Sequence, residues 1–371
     1  MSKLPEEIIP NDGRFASGPS KVRQAQIDAI LAAPLGTSHR KAPVINLVKE
    51  ARAGLRQLFN LPEGYEILLG NGGASQIFDT IGFCLVEKKA QTVQLGAFSH
   101  LCTEAVSKIP WIETEVITSD WGTIVECEER PDIDTYIYTH NETTTGAIAP
   151  IRRFGEQYDA LTVVDGTSIA GAYEFDVRNI DFYYFSTQKC FSAEAGTWVA
   201  IASPRALARI KKLTSERWVP DVLNLQLAAE QSVKDQTFNT PSIATIAMLN
   251  AQVKWMNEIG GMQATAARSK ASSDLIYKWI AERDYAEAFV KNPEHRSPVG
   301  VTINLAEWID IQEILDVMHE HGVVDFERYR GVEENQFRVA CFPSIDSEDV
   351  AKLLACFDFL IEEQRSRLAE A

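Results

Sequence analysis

The sequence has no run of about 18 apolar residues, the length a helix needs to cross a bilayer. Its opening Met-Ser-Lys-Leu-Pro-Glu-Glu has neither the basic nor the apolar stretch of a signal peptide, so the chain is expected in the cytoplasm and away from the membrane. Basic residues are scarce: 36 Lys and Arg stand against 52 Asp and Glu, a net charge of -16. That field repels nucleic acid and anionic membrane surfaces and argues against both as partners. The six cysteines, at 84, 102, 127, 190, 341 and 356, include no Cys-x-x-Cys pair and no histidine spacing suited to zinc. Free thiols and no metal are expected, with Cys190 singled out because it adjoins Lys189. Repeats, low-complexity tracts and Gly/Ser linkers are also missing, so any domain boundary has to be inferred from the order of elements.

What is present is ordinary for a globular chain: 371 residues, 45% hydrophobic and 24% charged, enough for a large core and two domains. Residues 1–14 form a polar, Pro-rich arm without period, and residues 21–32 and 46–59 have helical spacing. Seven short apolar segments follow, at 66–69, 92–95, 114–117, 136–139, 161–164, 182–185 and 197–202, mostly separated by helix-length stretches. Strand alternating with helix predicts a mainly parallel sheet covered on both faces. Residues 182–185, four aromatics in a row, read as a strand buried on both sides. The segment from 197 begins too soon after them for a helical crossover, so these two strands are expected to pair antiparallel.

In a parallel sheet the ligand sits beyond the carboxyl ends of the strands, and the residues there form a set. Lys189 follows the aromatic strand. A partly desolvated lysine has a lowered pKa and becomes an amine nucleophile, although a lysine in a turn is more often a solvated surface residue. After residue 69 comes Gly70-Asn71-Gly72-Gly73-Ala74-Ser75, either a plain Gly-rich turn or a cradle whose backbone N–H groups and following helix attract an anion. It has neither the Walker lysine nor Gly-x-Gly-x-x-Gly, which disfavours a nucleotide. Phe98 is placed to cover a planar ring, if it is not simply core. His140-Asn141-Glu142-Thr143-Thr144-Thr145-Gly146 carries hydroxyls and amides without an apolar anchor and reads as a binding loop. Asp165 directly follows four apolar residues; it is either a helix N-cap or a buried acid awaiting a cation. Anion cradle, ring cover, buried acid and amine together are what pyridoxal 5'-phosphate needs.

Several motifs in order resemble those of the phosphoserine aminotransferase family, class V aminotransferases of the fold-type I pyridoxal-phosphate group, in its actinobacterial branch. They are Ser17-Gly18-Pro19-Ser20, Gly36-Thr37-Ser38-His39-Arg40, the Gly-rich loop, His140-Asn141-Glu142-Thr143, Val164-Asp165-Gly166-Thr167-Ser168, Gln188-Lys189, Phe238-Asn239-Thr240-Pro241 and Asn335-Gln336-Phe337-Arg338. The likeness runs from about Phe15 to the C-terminal helix. It implies an α/β fold with a mainly parallel seven-stranded sheet and one antiparallel strand, plus a smaller C-terminal α+β domain. The division expected is an arm over 1–15, a large cofactor-binding domain over 16–257 and a small domain over 258–371.

The resemblance further implies a role for each site residue. Lys189 bonds the cofactor and shuttles the proton, and Asp165 pairs with the pyridine nitrogen. Ala74, Ser75 and Gln188 hold the cofactor phosphate, with Asn239 and Thr240 supplied by the partner subunit of a homodimer; Thr143 bonds the ring hydroxyl and Phe98 covers the ring. Ser17 and Arg338 take the substrate α-carboxylate, while His39, Arg40 and the partner's Arg330 serve its phosphate. The implied reaction moves the amino group of glutamate to 3-phosphohydroxypyruvate, giving phosphoserine and 2-oxoglutarate, with a phosphorylated hydroxy-oxobutanoate of vitamin B6 synthesis as a second substrate. Three positions depart from the family pattern: Phe98 stands where many relatives have Trp, Ser75 where many have Arg, and Tyr329 where others have His. Two other readings stand beside it: an aminotransferase using serine or alanine with glyoxylate, which would share the cofactor residues but not the Arg40 and Arg330 pair, and a non-catalytic binding module of the same fold.

Overall fold

The computed structural model describes residues 3–329 and 335–370. In chain order the elements are α1 (Gln24–Ala32), α2 (Ala42–Leu58), β1 (Glu66–Asn71), α3 (Ala74–Cys84), β2 (Lys89–Gln94), α4 (Ala97–Ser107), β3 (Glu113–Thr118), β4 (Thr135–Thr139), a hairpin of β5 (Asn141–Glu142) and β6 (Ala147–Ile148), β7 (Leu161–Asp165), β8 (Phe182–Ser186) and β9 (Thr197–Ala202). They continue with α5 (Pro204–Glu216), α6 (Leu225–Ser232), α7 (Ile243–Glu258), α8 (Gly261–Ala281), β10 (Ala286–Ala288), β11 (Gly300–Leu305), α9 (Ile311–Glu320), β12 (Gln336–Ala340) and α10 (Ser347–Glu370).

Seven strands form the main sheet in the order β1-β9-β8-β7-β4-β2-β3. All neighbours are parallel except β9, which runs antiparallel to both β1 and β8. The sheet is buried on both faces, and the aromatic strand β8 shows why. Tyr183 and Phe185 enter the core made with α2 and α7, while Phe182 and Tyr184 enter the one made with α3 and α5, as the period of two along a strand requires. On α2, Val44, Val48, Ala51, Leu55 and Leu58 fall on one helical stripe, and all are buried. Helix α5 starts where Ser203 Oγ accepts the Ala206 N–H at 3.1 Å and Pro204 fits the first turn.

A second core surrounds the small antiparallel sheet β10-β11-β12, with α8, α9 and α10 packed on it. Three findings differ from the sequence reading. The arm is not a loose polar segment: Leu4 and Phe15 enter this second core, and the Asn11 N–H donates to Asp349 on α10 at 2.8 Å. Strand β2 starts at Lys89, earlier than the apolar run, because Gln91 is buried with its amide donating to the Glu128 carbonyl, so polarity there does not mark a loop. The polar segment after β4 is a buried hairpin, with His140, Glu142 and Thr145 wholly inaccessible.

Gly70 of β1 sits directly opposite Trp198 of β9, and a Cβ on it would fall 2.1 Å from the indole ring. The missing side chain is what lets the indole lie across the strand. Gly70→Ala is therefore expected to destabilise the protein by about 1–3 kcal/mol through overpacking, read as a lower midpoint in thermal or urea unfolding; an unchanged midpoint would show that the indole moves aside freely.

Candidate active site

Lys189 lies three residues beyond β8, in the tight connection to β9. Residues 15–20 run alongside it: the Ala340 N–H of β12 donates to the Phe15 carbonyl at 3.3 Å and the Ser20 N–H to the Gln188 carbonyl at 2.9 Å. Between those ties, the Ser17 carbonyl accepts from Lys189 Nζ at 2.5 Å. Gly18 makes the approach possible, since with φ at +123° any Cβ would lie 2.6 Å from Lys189 Nζ. Burial, with the Arg338 cation as the next cause, lowers the Lys189 amine to about 8.

Asp165 ends β7 and is buried. Burial pushes its carboxyl up to about 6, against the opposing pull of its contacts with Thr167, whose N–H donates to Oδ1 at 2.8 Å. Such a carboxylate is short of positive charge, and a protonated ring nitrogen would supply it. Where β8 ends, Ser186 Oγ accepts the Ala74 N–H at 3.1 Å, which anchors the first turn of α3 beside the same strand ends. Ser75 is exposed at that turn, and the buried atoms Gln188 Oε1, Thr167 Oγ1 and Ser17 Oγ have no partner among the described residues. A buried acid short of a cation, the first turn of a helix and unpaired polar atoms around one amine fit an anionic pyridinium cofactor.

A cavity of about 410 Å³ opens over Lys189, lined among others by Ser17, Phe98, Thr143, Tyr329 and Arg338. Phe98, in the first turn of α4, has its ring 5.8 Å from Lys189 Nζ and 5.8 Å, edge-on, from the ring of Tyr329. Arg338 of β12 donates from Nη1 to the Thr143 carbonyl at 2.9 Å and lies 5.6 Å over the Tyr329 ring, with its Nε unpartnered. Burial lowers its pKa, and a cation held short of acceptors is suited to a carboxylate.

His39, Arg40, Asn239 and Thr240 are not in this cavity. They form a separate ledge in which His39 Nδ1 meets Thr240 Oγ1 at 3.3 Å, and Arg40 donates to Gln231 at 3.0 Å, to Gln236, and to the Phe238 carbonyl at 3.1 Å. Asn71, at the end of β1, ties the ledge to the Gly-rich loop through the Thr240 carbonyl at 2.7 Å. Arg330 lies outside the described residues. Among residues given no role from sequence, Ser186 and Gly18 shape the site; a polar residue at a strand end and a small residue before Pro19 are faint signals for them. Cys190 is fully buried and its thiol pKa is raised by that burial, the opposite of a reactive thiol.

Comparison with known proteins shows the family. The family described as aminotransferase class-V matches residues 28–323, and the chain belongs to that family. It is 44% identical over 364 residues to the phosphoserine aminotransferase of Corynebacterium glutamicum (strain R), covering 97% of each chain. Among solved structures, it resembles a phosphoserine aminotransferase from Cytophaga hutchinsonii with a TM-score of 0.84 at 25% identity, covering 94% of this chain and 99% of that one. A phosphoserine aminotransferase from Bacillus circulans subsp. alkalophilus shares the fold, with a TM-score of 0.84 at 22% identity over 96% of this chain and 99% of that one.

The lowered Lys189 pKa has a measurable consequence. In cofactor-free protein the neutral amine grows as pH rises, so labelling of Lys189 by an amine-selective reagent is expected to rise through a midpoint near pH 8, against about 10.4 for an unperturbed lysine. Peptide mapping across a pH series reads this directly, and a midpoint above pH 10 would contradict the burial argument.

Proposed function

We propose that this member of the class-V aminotransferase family is a cytoplasmic, pyridoxal 5'-phosphate-dependent phosphoserine aminotransferase. It moves the amino group of L-glutamate to 3-phosphohydroxypyruvate, giving O-phospho-L-serine and 2-oxoglutarate on the route to serine. The observation that carries the reading is the 44% identity over 97% of both chains with the Corynebacterium glutamicum enzyme of that name. The buried amine and acid at adjoining strand ends support it.

When bound, pyridoxal 5'-phosphate supplies an aldehyde for the amino group and a ring that takes the electron pair left as the Cα–H bond breaks. The first turn of α3 at Ala74 and Ser75, with Gln188, would hold its phosphate. Thr143 would bond the ring hydroxyl, Phe98 cover one face and Asp165 hold the proton on the ring nitrogen. Lys189 Nζ, lowered to about 8, exchanges protons readily near neutral pH and is the group that moves the Cα proton. Arg338 and Ser17 orient the substrate by its α-carboxylate, so that the scissile bond faces that amine.

The substrate phosphate needs cations in a chain of net charge -16. Arg40 is suited to this because the groups that fix it, two glutamine amides and a backbone carbonyl, are neutral and leave its charge available. His39 and Arg40 share one ledge with Asn239 and Thr240. If that ledge serves the cofactor of the partner subunit in a homodimer, all four residues cross together. Tyr329 lines the cavity of its own chain; Arg330, which follows it, lies outside the described residues. The family resemblance had Asn239, Thr240 and Arg330 crossing; a crossing ledge adds His39 and Arg40 to them.

Two experiments test the reading. Arg40→Ala is expected to lower catalytic efficiency with phosphoserine by at least about ten-fold, as loss of one partner of a charge pair does. The glutamate half-reaction should suffer less. Stopped-flow measurement of both half-reactions separates them, and equal loss in both would move the assignment to a glyoxylate-type acceptor. In the second, mixing inactive Lys189→Ala with Arg40→Ala chains is expected to restore activity, since one site of the mixed dimer then has both residues intact. No recovery after demonstrated subunit exchange would place the ledge in its own chain's site.

A further inference from the structure

Glu142 plays no part in the reading above, yet its side chain is wholly inaccessible and is met by five donors. Three come from the first turn of α4: the Phe98 N–H at 3.3 Å on Oε1, and the Ser99 N–H and hydroxyl at 3.0 and 2.8 Å on Oε2. Two come from Thr144, its N–H at 3.2 Å and its hydroxyl at 2.7 Å, both on Oε1. Both oxygens act as acceptors, which is the pattern of an ionised carboxylate. Burying one is costly unless donors and a favourable dipole receive it, and the N-terminus of α4 offers both. Gly96 keeps the space open, since a Cβ there would lie 2.6 Å from Glu142 Cγ. The next residue, Thr143, gives the carbonyl that holds Arg338.

We propose that Glu142 is a positioning residue: its carboxylate locks the α4 turn that carries Phe98 to the hairpin whose Thr143 carbonyl holds Arg338. One buried side chain thereby sets the ring that covers the cofactor and the cation that orients the substrate. The proposal rests on the aminotransferase reading above. Electrostatics agree with the geometry, because the same anion favours the protonated forms of Lys189, Asp165 and Arg338. Lys189 also faces Arg338 from β12 and Asp165 from β7, with Cys190 beside it on its own loop. Asp325, Glu327 and Arg328 stand at the cavity rim.

The test uses Glu142→Gln and Glu142→Asp beside the wild type, each reloaded with pyridoxal 5'-phosphate. Three quantities are read: the cofactor dissociation constant by fluorescence quenching, the pH midpoint of the visible band of the loaded protein, and the thermal midpoint of the cofactor-free protein. Glu142→Gln turns an NH2 toward donors and removes the charge. It is expected to weaken cofactor binding by about ten-fold or more, the worth of hydrogen bonds to a charged group. The spectral midpoint should move to lower pH, because the anion that favoured a cation at Lys189 Nζ is gone. Glu142→Asp keeps the charge but not the reach, so binding should weaken while the spectral midpoint stays near wild type. A lower thermal midpoint with unchanged affinity and unchanged spectral midpoint overturns the proposal. Should Glu142→Gln fail to fold, Thr144→Val removes one donor, and wild-type cofactor affinity in that variant overturns it equally. A wild type that takes up no cofactor overturns the aminotransferase reading and this proposal with it, whereas normal uptake by the wild type and by Glu142→Gln alike overturns this proposal alone.

Discussion

The structure depends on keeping an amine and a carboxylate out of water at adjoining ends of β7 and β8. Desolvation alone would drive each toward its neutral form, and both move that way, Lys189 down to about 8 and Asp165 up to about 6. Water is kept away by the aromatic strand on which Lys189 follows and by residues 15–20, which lie against its side chain. That segment in turn is tied to β12 and to Gln188 by backbone hydrogen bonds. The small sheet, the N-terminal segment and the lysine loop therefore meet at one point. The candidate site residues come from distant parts of the chain because no single element can enclose a charge.

A second constraint comes from the polar segment after β4. Backbone and side-chain polar groups cannot be buried unpaired without cost, and most of this segment's are paired locally, His140 Nε2 and Asn141 Oδ1 being without a partner among the described residues. The Asn141 amide donates to Ser168 Oγ at 2.8 Å, and that hydroxyl returns a bond to the Asn141 carbonyl at 3.0 Å. Glu142 gathers its five donors in the same way. His140 is held neutral, its pKa lowered to about 3 by burial, with Nδ1 3.1 Å from the Tyr183 hydroxyl. What read in sequence as a binding loop outside the core is a buried hairpin that lines the site through Thr143, and a fixed wall is what positioning a planar ring demands.

Charge is distributed on the same logic. Acidic residues dominate the chain, yet the cations expected to read a substrate phosphate are fixed by neutral acceptors, as Arg40 is. Structural arginines elsewhere are matched by acids: Arg153 and Arg205 both reach the buried Asp181, at 2.7 and 3.4 Å.

The sequence by itself determined the strand-helix alternation, the double-faced burial of residues 182–185, the antiparallel turn after them and the set of residues at strand ends. Each follows from a local period or from the chemistry of a few neighbouring side chains. The candidate site was legible to the same extent: Lys189 and Asp165 announce themselves because a charged residue stands at the end of an apolar run. Only the tertiary structure decided what lies against them. Gly18 admits the lysine, Ser186 anchors α3, Glu142 joins α4 to the hairpin that holds Arg338, and Leu4 with Phe15 turns a polar arm into part of a core. It also separated His39 and Arg40 from the cavity of their own chain and set them beside Thr240. These outcomes depend on contacts between residues tens to hundreds of positions apart, and no local period records which distant backbone a side chain will meet.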